Sequence, residues 1–137
     1  MKTPFILRAA AAAAIASAAP GAAHARGETV TPNFERAIPN LPGKSLVAVV
    51  VDYAPGGASL PHTHAKSAFI FAYVVSGAIE SQVDDQPERV YRAGESWYEA
   101  PGANHRVSRN ASATEPARLL AVLVVDTDDK TLTTPSR

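Results

Sequence analysis

The chain has 137 residues, with 13 basic and 13 acidic side chains, four histidines and no cysteine. Balanced charge without a basic block gives nothing to track a phosphate backbone, so nucleic acid is excluded as an expected partner. The absence of cysteine excludes a disulfide framework, a thiolate metal site and a lipid anchor on a cysteine after a leader.

Taken in chain order, residues 1–25 (MKTPFILRAAAAAAIASAAPGAAHA) have a basic start at Lys2 and Arg8, an apolar alanine-rich middle and small residues at Ala23 and Ala25. This pattern predicts a secretory signal peptide cut after Ala25, and hence a periplasmic or secreted product. The apolar run from Ala9 to Ala19 falls short of the roughly 20 residues a membrane span needs. Residues 26–44 (RGETVTPNFERAIPNLPGK), with three prolines and little periodicity, predict an extended N-terminal arm that lies along a neighbouring sheet.

Between 45 and 127 short β-rich runs alternate with turn residues: SLVAVVVDY (45–53), FIFAYVV (69–75), AIESQVD (78–84), ERVYR (88–92), SWYE (96–99), HRVSR (105–109) and ARLLAVLVVD (117–126). Many short strands broken by Gly, Pro, Asp and Asn predict an all-β sandwich or barrel. LVAVVV, FIFAYVV and LLAVLVV are apolar at every position, so these strands need cover on both faces, from a second layer or from a second subunit; a homodimer is the expectation. Residues 128–137 predict a loose tail.

Beyond the leader three histidines remain: His62, His64 and His105. In a strand, positions i and i+2 share a face, so His62 and His64 can aim at one point. His105 follows the APGAN turn (100–104), which can bring its ring to the other two across a barrel. Neutral imidazole is the commonest protein metal ligand, and three of them without thiolate leave positions open, as catalytic sites require. A divalent ion (Fe, Mn, Zn, Ni or Cu) is the expected cofactor. The plainer alternative is a metal-free cavity whose imidazoles hydrogen-bond to neighbours or to a ligand.

These residues resemble the two motifs of the cupin superfamily, G-x5-H-x-H-x3,4-E-x6-G and G-x5-P-x-G-x2-H-x3-N. Gly56, His62, His64 and Gly77 match the first; Gly94, Gly102 and His105 match the second. The likeness runs from about Leu46 to Asp126 and implies a double-stranded β-helix, the jelly-roll barrel of that superfamily. Within it, the chain resembles small secreted single-domain members. Departures from the pattern bear on the site. The motif-one glutamate is due near Ala68 to Ile70, yet no acid occurs between His64 and Glu80. Ala100 stands in the motif-two proline slot and Asn110 one place late.

Just before that proline slot, where the family usually carries an inward aliphatic residue, stands Glu99. An inward acid needs a cation or hydrogen bonds, so Glu99 is a candidate fourth metal ligand or general base; the alternative places it at the rim, satisfied by Arg92 or Arg106. Arg92, Arg106 and Arg109 are candidates to clamp a substrate carboxylate, and some of Phe69, Phe71, Tyr73 and Trp97 to wall the cavity. The resulting expectation is metal-assisted chemistry of dioxygenase or isomerase type on a small organic molecule. The alternative is a non-catalytic module that binds a small ligand or metal.

Overall fold

The computed structural model describes residues 26–136; the segment read as a signal peptide lies outside them. Ten strands make up the regular structure: β1 (Arg26–Ala37), β2 (Lys44–Ala58), β3 (His62–His64), β4 (Phe69–Ser76), β5 (Ala78–Val83), β6 (Arg89–Arg92), β7 (Ser96–Glu99), β8 (Asn104–Asn110), β9 (Ala117–Asp126) and β10 (Thr133–Pro135). All pairings are antiparallel. One wall runs β1-β2-β9-β4-β7, the other β10-β3-β8-β5-β6, and the end of β2 joins them where Ala58 meets Arg109. The result is a nearly closed all-β barrel, the jelly-roll architecture expected from the sequence. No helix among the described residues is long and apolar enough to cross a membrane.

Alternation decides what faces inward. Val47, Val51 and Tyr53 on β2, Ile70, Ala72 and Val74 on β4, and Leu119, Leu123 and Val125 on β9 are buried. Their odd-numbered or even-numbered neighbours point out. The core divides into two clusters, one around Tyr53, Val74, Ile79 and Trp97 and one around Val47, Ile70 and Leu123. At Gly77, between β4 and β5, φ is +71° and an added Cβ would lie 2.6 Å from the Pro116 carbonyl oxygen. Only glycine takes that bend against the neighbouring chain without displacing it.

Two segments without a strand signal in the sequence are paired. Residues 26–37, within the predicted arm, form β1 along β2 of the same chain, from Arg26 opposite Ala58 to Ala37 opposite Ser45. Pro32 is tolerated because β1 is an edge strand, and a register shift falls between Pro32 and Phe34. In the expected loose tail, Thr133, Thr134 and Pro135 pair with His64, Thr63 and His62. Ala65 N–H donates to the Leu132 carbonyl and Ser136 N–H to that of Pro61. This tail is therefore a strap across the histidine strand; three paired residues were too few to leave a pattern in the text.

Candidate metal centre

The three histidines converge. His62 and His105 are cross-strand partners on β3 and β8, and His64 shares the face of His62 two residues on. Ring centroids lie 4.7 Å apart for His62 and His64, 5.2 Å for His62 and His105 and 6.1 Å for His64 and His105. One nitrogen of each falls within 4.8 Å of the others.

Glu99 stands beside two of the three rings. It is 2 % exposed and turned into the barrel, with Oε2 at 2.9 Å from His64 Nε2 and Oε1 at 3.3 Å from His105 Nδ1. The Trp97 Nε1–H donates to Oε1 at 3.1 Å. The rim alternative is thereby overturned: Glu99 touches neither Arg92 nor Arg106, and Arg106 pairs with Asp85 instead. The partner of Glu99 across β4 and β7 is Ile70. Opposed residues of an antiparallel pair place their Cβ atoms about 5 Å apart on one face. Glu99 thus faces, across the strand pair, the end of the stretch from Ala68 to Ile70 in which the motif-one glutamate is due.

Second contacts set the tautomers. His62 Nδ1 donates to the Leu60 carbonyl at 2.7 Å, which leaves Nε2 with a free lone pair. His105 Nε2 lies 2.8 Å from Ser81 Oγ, so Nδ1 is the atom turned to Glu99. Burial pushes His62 down and His105 down to about 4. Burial alone would raise Glu99, but the facing His64 and His105 rings and the Trp97 N–H outweigh it and hold the carboxyl below its ordinary range. Burial thus favours the neutral form of His62 and His105, beside a carboxylate.

That state fits a cation. His64 Nδ1, His64 Nε2 and Glu99 Oε2 are buried without any hydrogen-bond partner; the 2.9 Å approach of the last two does not lie along a hydrogen-bonding direction. Buried polar atoms left so are costly unless a proton or a cation lies between them. Ligands at about 2.0–2.2 Å from a zinc-sized ion stand about 2.9–3.4 Å apart when adjacent. The two Glu99 contacts fall in that interval. The imidazole nitrogens lie within 4.8 Å of one another.

The group opens onto a cavity of about 670 Å³ whose wall includes Val49 from β2, Ile70 from β4, Leu119 and Leu123 from β9, and Thr131, Leu132, Thr133 and Pro135 from the tail. Several expected contributors are elsewhere. Phe69, Phe71 and Tyr73 occupy the outward positions of β4 and are exposed, while Trp97 is core. Arg109 pairs with Glu80 and Glu88, Arg106 with Asp85, and Arg92 is exposed on β6; all three lie away from the cavity. The residues missed are Glu28, Tyr53, Ser59 and Ser108, which also line it. The alternation that puts Tyr53 inward was readable; the pairing that brings Glu28 over it was not.

Comparisons with known proteins agree with this geometry. Residues 49–123 match the family model described as a cupin domain. No curated protein matches. Among solved structures, an uncharacterised conserved protein with a double-stranded β-helix domain from Klebsiella pneumoniae is 21 % identical with TM-score 0.59, covering 73 % of this chain and 78 % of that one. A recombinant oxalate oxidase in complex with glycolate is 26 % identical with TM-score 0.56, covering 72 % of this chain and 51 % of that chain. The DMSP lyase DddQ of Ruegeria pomeroyi is 22 % identical with TM-score 0.56, covering 66 % and 43 %. This chain thus spans about half the length of the oxidase and less of the lyase. With its matched domain extending over more than half of its length, the chain belongs to the cupin family.

Proposed function

We propose that this cupin binds one divalent metal ion through His62, His64, His105 and Glu99, and uses it in chemistry on a small organic molecule held in the adjoining cavity. The observation that carries the reading is the convergence of three imidazoles beside a buried carboxylate, with atoms of His64 and Glu99 left unpartnered. A bound ion of this kind supplies Lewis acidity toward a substrate oxygen and, for a redox-active metal, a site for oxygen chemistry. The protein's own part is clearer. His62 and His105 are fixed by Leu60 and Ser81, the Trp97 N–H holds the Glu99 carboxylate, and Val49, Ile70, Leu119 and Leu123 give the adjoining cavity a largely apolar wall. A carboxylate so placed can also take a proton from a substrate carbon or hydroxyl.

Dioxygenase and isomerase or elimination chemistry both suit this arrangement, and an oxalate oxidase and a DMSP lyase are among the structural neighbours that share its barrel. Metal analysis of protein purified without a histidine tag tests the reading, followed by oxygen uptake against phenols, keto acids and sugars. Metal-free protein after supplementation with each candidate ion would sink it. Metal uptake without turnover of any class would favour the non-catalytic ligand- or metal-binding module.

The reading extends to location and assembly. The leader-like residues 1–25 support a periplasmic or secreted site of action. The outer face of β4 and β7 supports a homodimer, because Phe69, Phe71, Tyr73, Val75 and Tyr98 are all exposed there, between 37 % and 68 %. At about 200 Å² per aromatic side chain, the four aromatics alone offer about 400 Å². That is as large as the largest apolar patch of a typical monomer, about 300–600 Å², and half of one side of a standard interface of about 800 Å².

A further inference from the structure

The cavity has a second polar wall, built without any imidazole. Glu28 on β1 and Tyr53 on β2 are cross-strand partners, so their side chains share the inner face. The Tyr53 hydroxyl lies 2.6 Å from Ser59 Oγ and 2.8 Å from Ser108 Oγ, and Ser59 in turn donates to the Glu28 carboxylate. Ser59 N–H also donates to the Ser108 carbonyl, which fixes the two serines side by side. All four residues line the cavity; Tyr53 and Ser108 are buried and Glu28 is half-buried.

Counting hydrogens gives this chain of contacts a direction. An ionised carboxylate can only accept, and each hydroxyl has one hydrogen to donate. Ser59 commits its hydrogen to Glu28, so the contact between Ser59 and Tyr53 must use the tyrosine's. Tyr53 then has none for Ser108, and Ser108 must donate to Tyr53. With that hydrogen engaged, Ser108 Oγ has only lone pairs to offer a molecule in the cavity.

We propose that Ser108 Oγ is a binding subsite for a hydrogen-bond donor, a hydroxyl or N–H group on an otherwise apolar small molecule, and that the charge of Glu28, transmitted through Ser59 and Tyr53, makes the subsite reject groups that can only accept. The body of such a ligand rests on Val30, Val49, Val51 and Leu119. The inference deepens the reading of the cavity as a small-molecule site and names what that molecule carries at the end held by Ser108. It does not depend on the metal, because none of the four residues is in the histidine group.

Phenol and anisole test it, since they share a ring and differ in that the methyl ether has lost the donor. Their affinities are measured by ligand-observed NMR on the full chain, as purified and again after treatment with a chelator. Wild type is expected to prefer phenol by about tenfold or more in both states, the range in which a buried acceptor left facing another acceptor is felt. In Glu28→Gln, whose amide can donate to Ser59 and so reverse the chain, the preference is expected to fall to within about threefold. Tyr53→Phe, which cuts the chain, is expected to do the same. The half-buried Glu28→Gln carries the test where the buried Phe substitution impairs folding. Equal affinities in wild type, no phenol binding, a preference that survives in both variants, or one that disappears on chelation would each overturn the proposal. Failure to bind metal with the phenol preference intact would overturn the metal reading alone.

Discussion

If Ile70 and Glu99 have exchanged residue types across one strand pair, exchanging them back should restore a working centre. The first perturbation is Glu99→Ile. In metal-free protein it replaces a carboxylate that is 2 % exposed, with one oxygen unpartnered, by an aliphatic side chain against Ile70 and Leu123. Glu99→Ile leaves the buried Trp97 N–H without its acceptor, which costs about 1–3 kcal/mol, so the metal-free variant should fold but melt somewhat lower than wild type. Metal affinity should fall further. Loss of a partner that merely orients a ligand costs roughly 10–100-fold, and loss of the anionic ligand itself should cost at least 100-fold, or about 2.7 kcal/mol at 1.36 kcal/mol per decade. The double variant Ile70→Glu/Glu99→Ile returns a carboxylate from β4 to the same spot, and most of that affinity should return with it. Competition against a fluorescent chelator gives the affinities, and calorimetric melting with and without metal gives the stabilities. A folded double variant that binds no better than Glu99→Ile would refute the exchange. A Glu99→Ile protein that loads metal like wild type would show the carboxylate to be a bystander.

Three further outcomes follow from the same geometry. His105 is held near 4 by burial against 6.5 when unfolded, so the unfolded chain binds the extra proton across that interval. Stability of the metal-free protein should therefore be level above about pH 7 and fall by about 3 kcal/mol from this residue alone between pH 6.5 and 4, with His62 adding in the same direction; urea melts at several pH values measure it, and a flat profile contradicts neutral burial. Ser81→Ala removes the partner of His105 Nε2 and should weaken metal binding roughly 10–100-fold while leaving His64→Ala as the more severe change, which should abolish loading. Phe71→Lys/Tyr98→Lys places charge on the outer face of β4 and β7, and sedimentation should show the wild-type dimer reduced to monomers without loss of secondary structure; a wild-type monomer at micromolar concentration removes the homodimer.

What the sequence disclosed follows how far each feature reaches along the chain. Alternation and turn residues belong to neighbours in the text, so the seven main strands and the barrel class were legible, and the spacing of His62, His64 and His105 pointed to convergence through the family pattern. The arm and the tail were not legible as strands, because β1 has outward and inward positions that are nearly all exposed and β10 is three residues long. Both matter to the cavity: β1 brings Glu28, and the residues before and within β10 bring Thr131 to Thr133 and Pro135. The arginines and outer aromatics misled because side-chain type alone cannot say which face of a strand a residue occupies, whereas a one-residue step moves it to the other face.

Glu99 shows how a one-dimensional motif conceals a three-dimensional constancy. The motif records which strand carries the acid, but an ion senses only where the oxygen stands and whether it is charged. Opposed positions on an antiparallel pair sit about 5 Å apart at Cβ, close enough for a glutamate from either strand to reach one point, provided the opposite residue is apolar and gives way. Ile70 satisfies that condition, and Trp97, two residues before Glu99 on the same face, supplies the N–H that steadies the relocated carboxylate. If the Ile70→Glu/Glu99→Ile exchange restores metal affinity, the lack of an acid between His64 and Glu80 is no argument against a metal centre, because Glu99 then serves it from the facing strand.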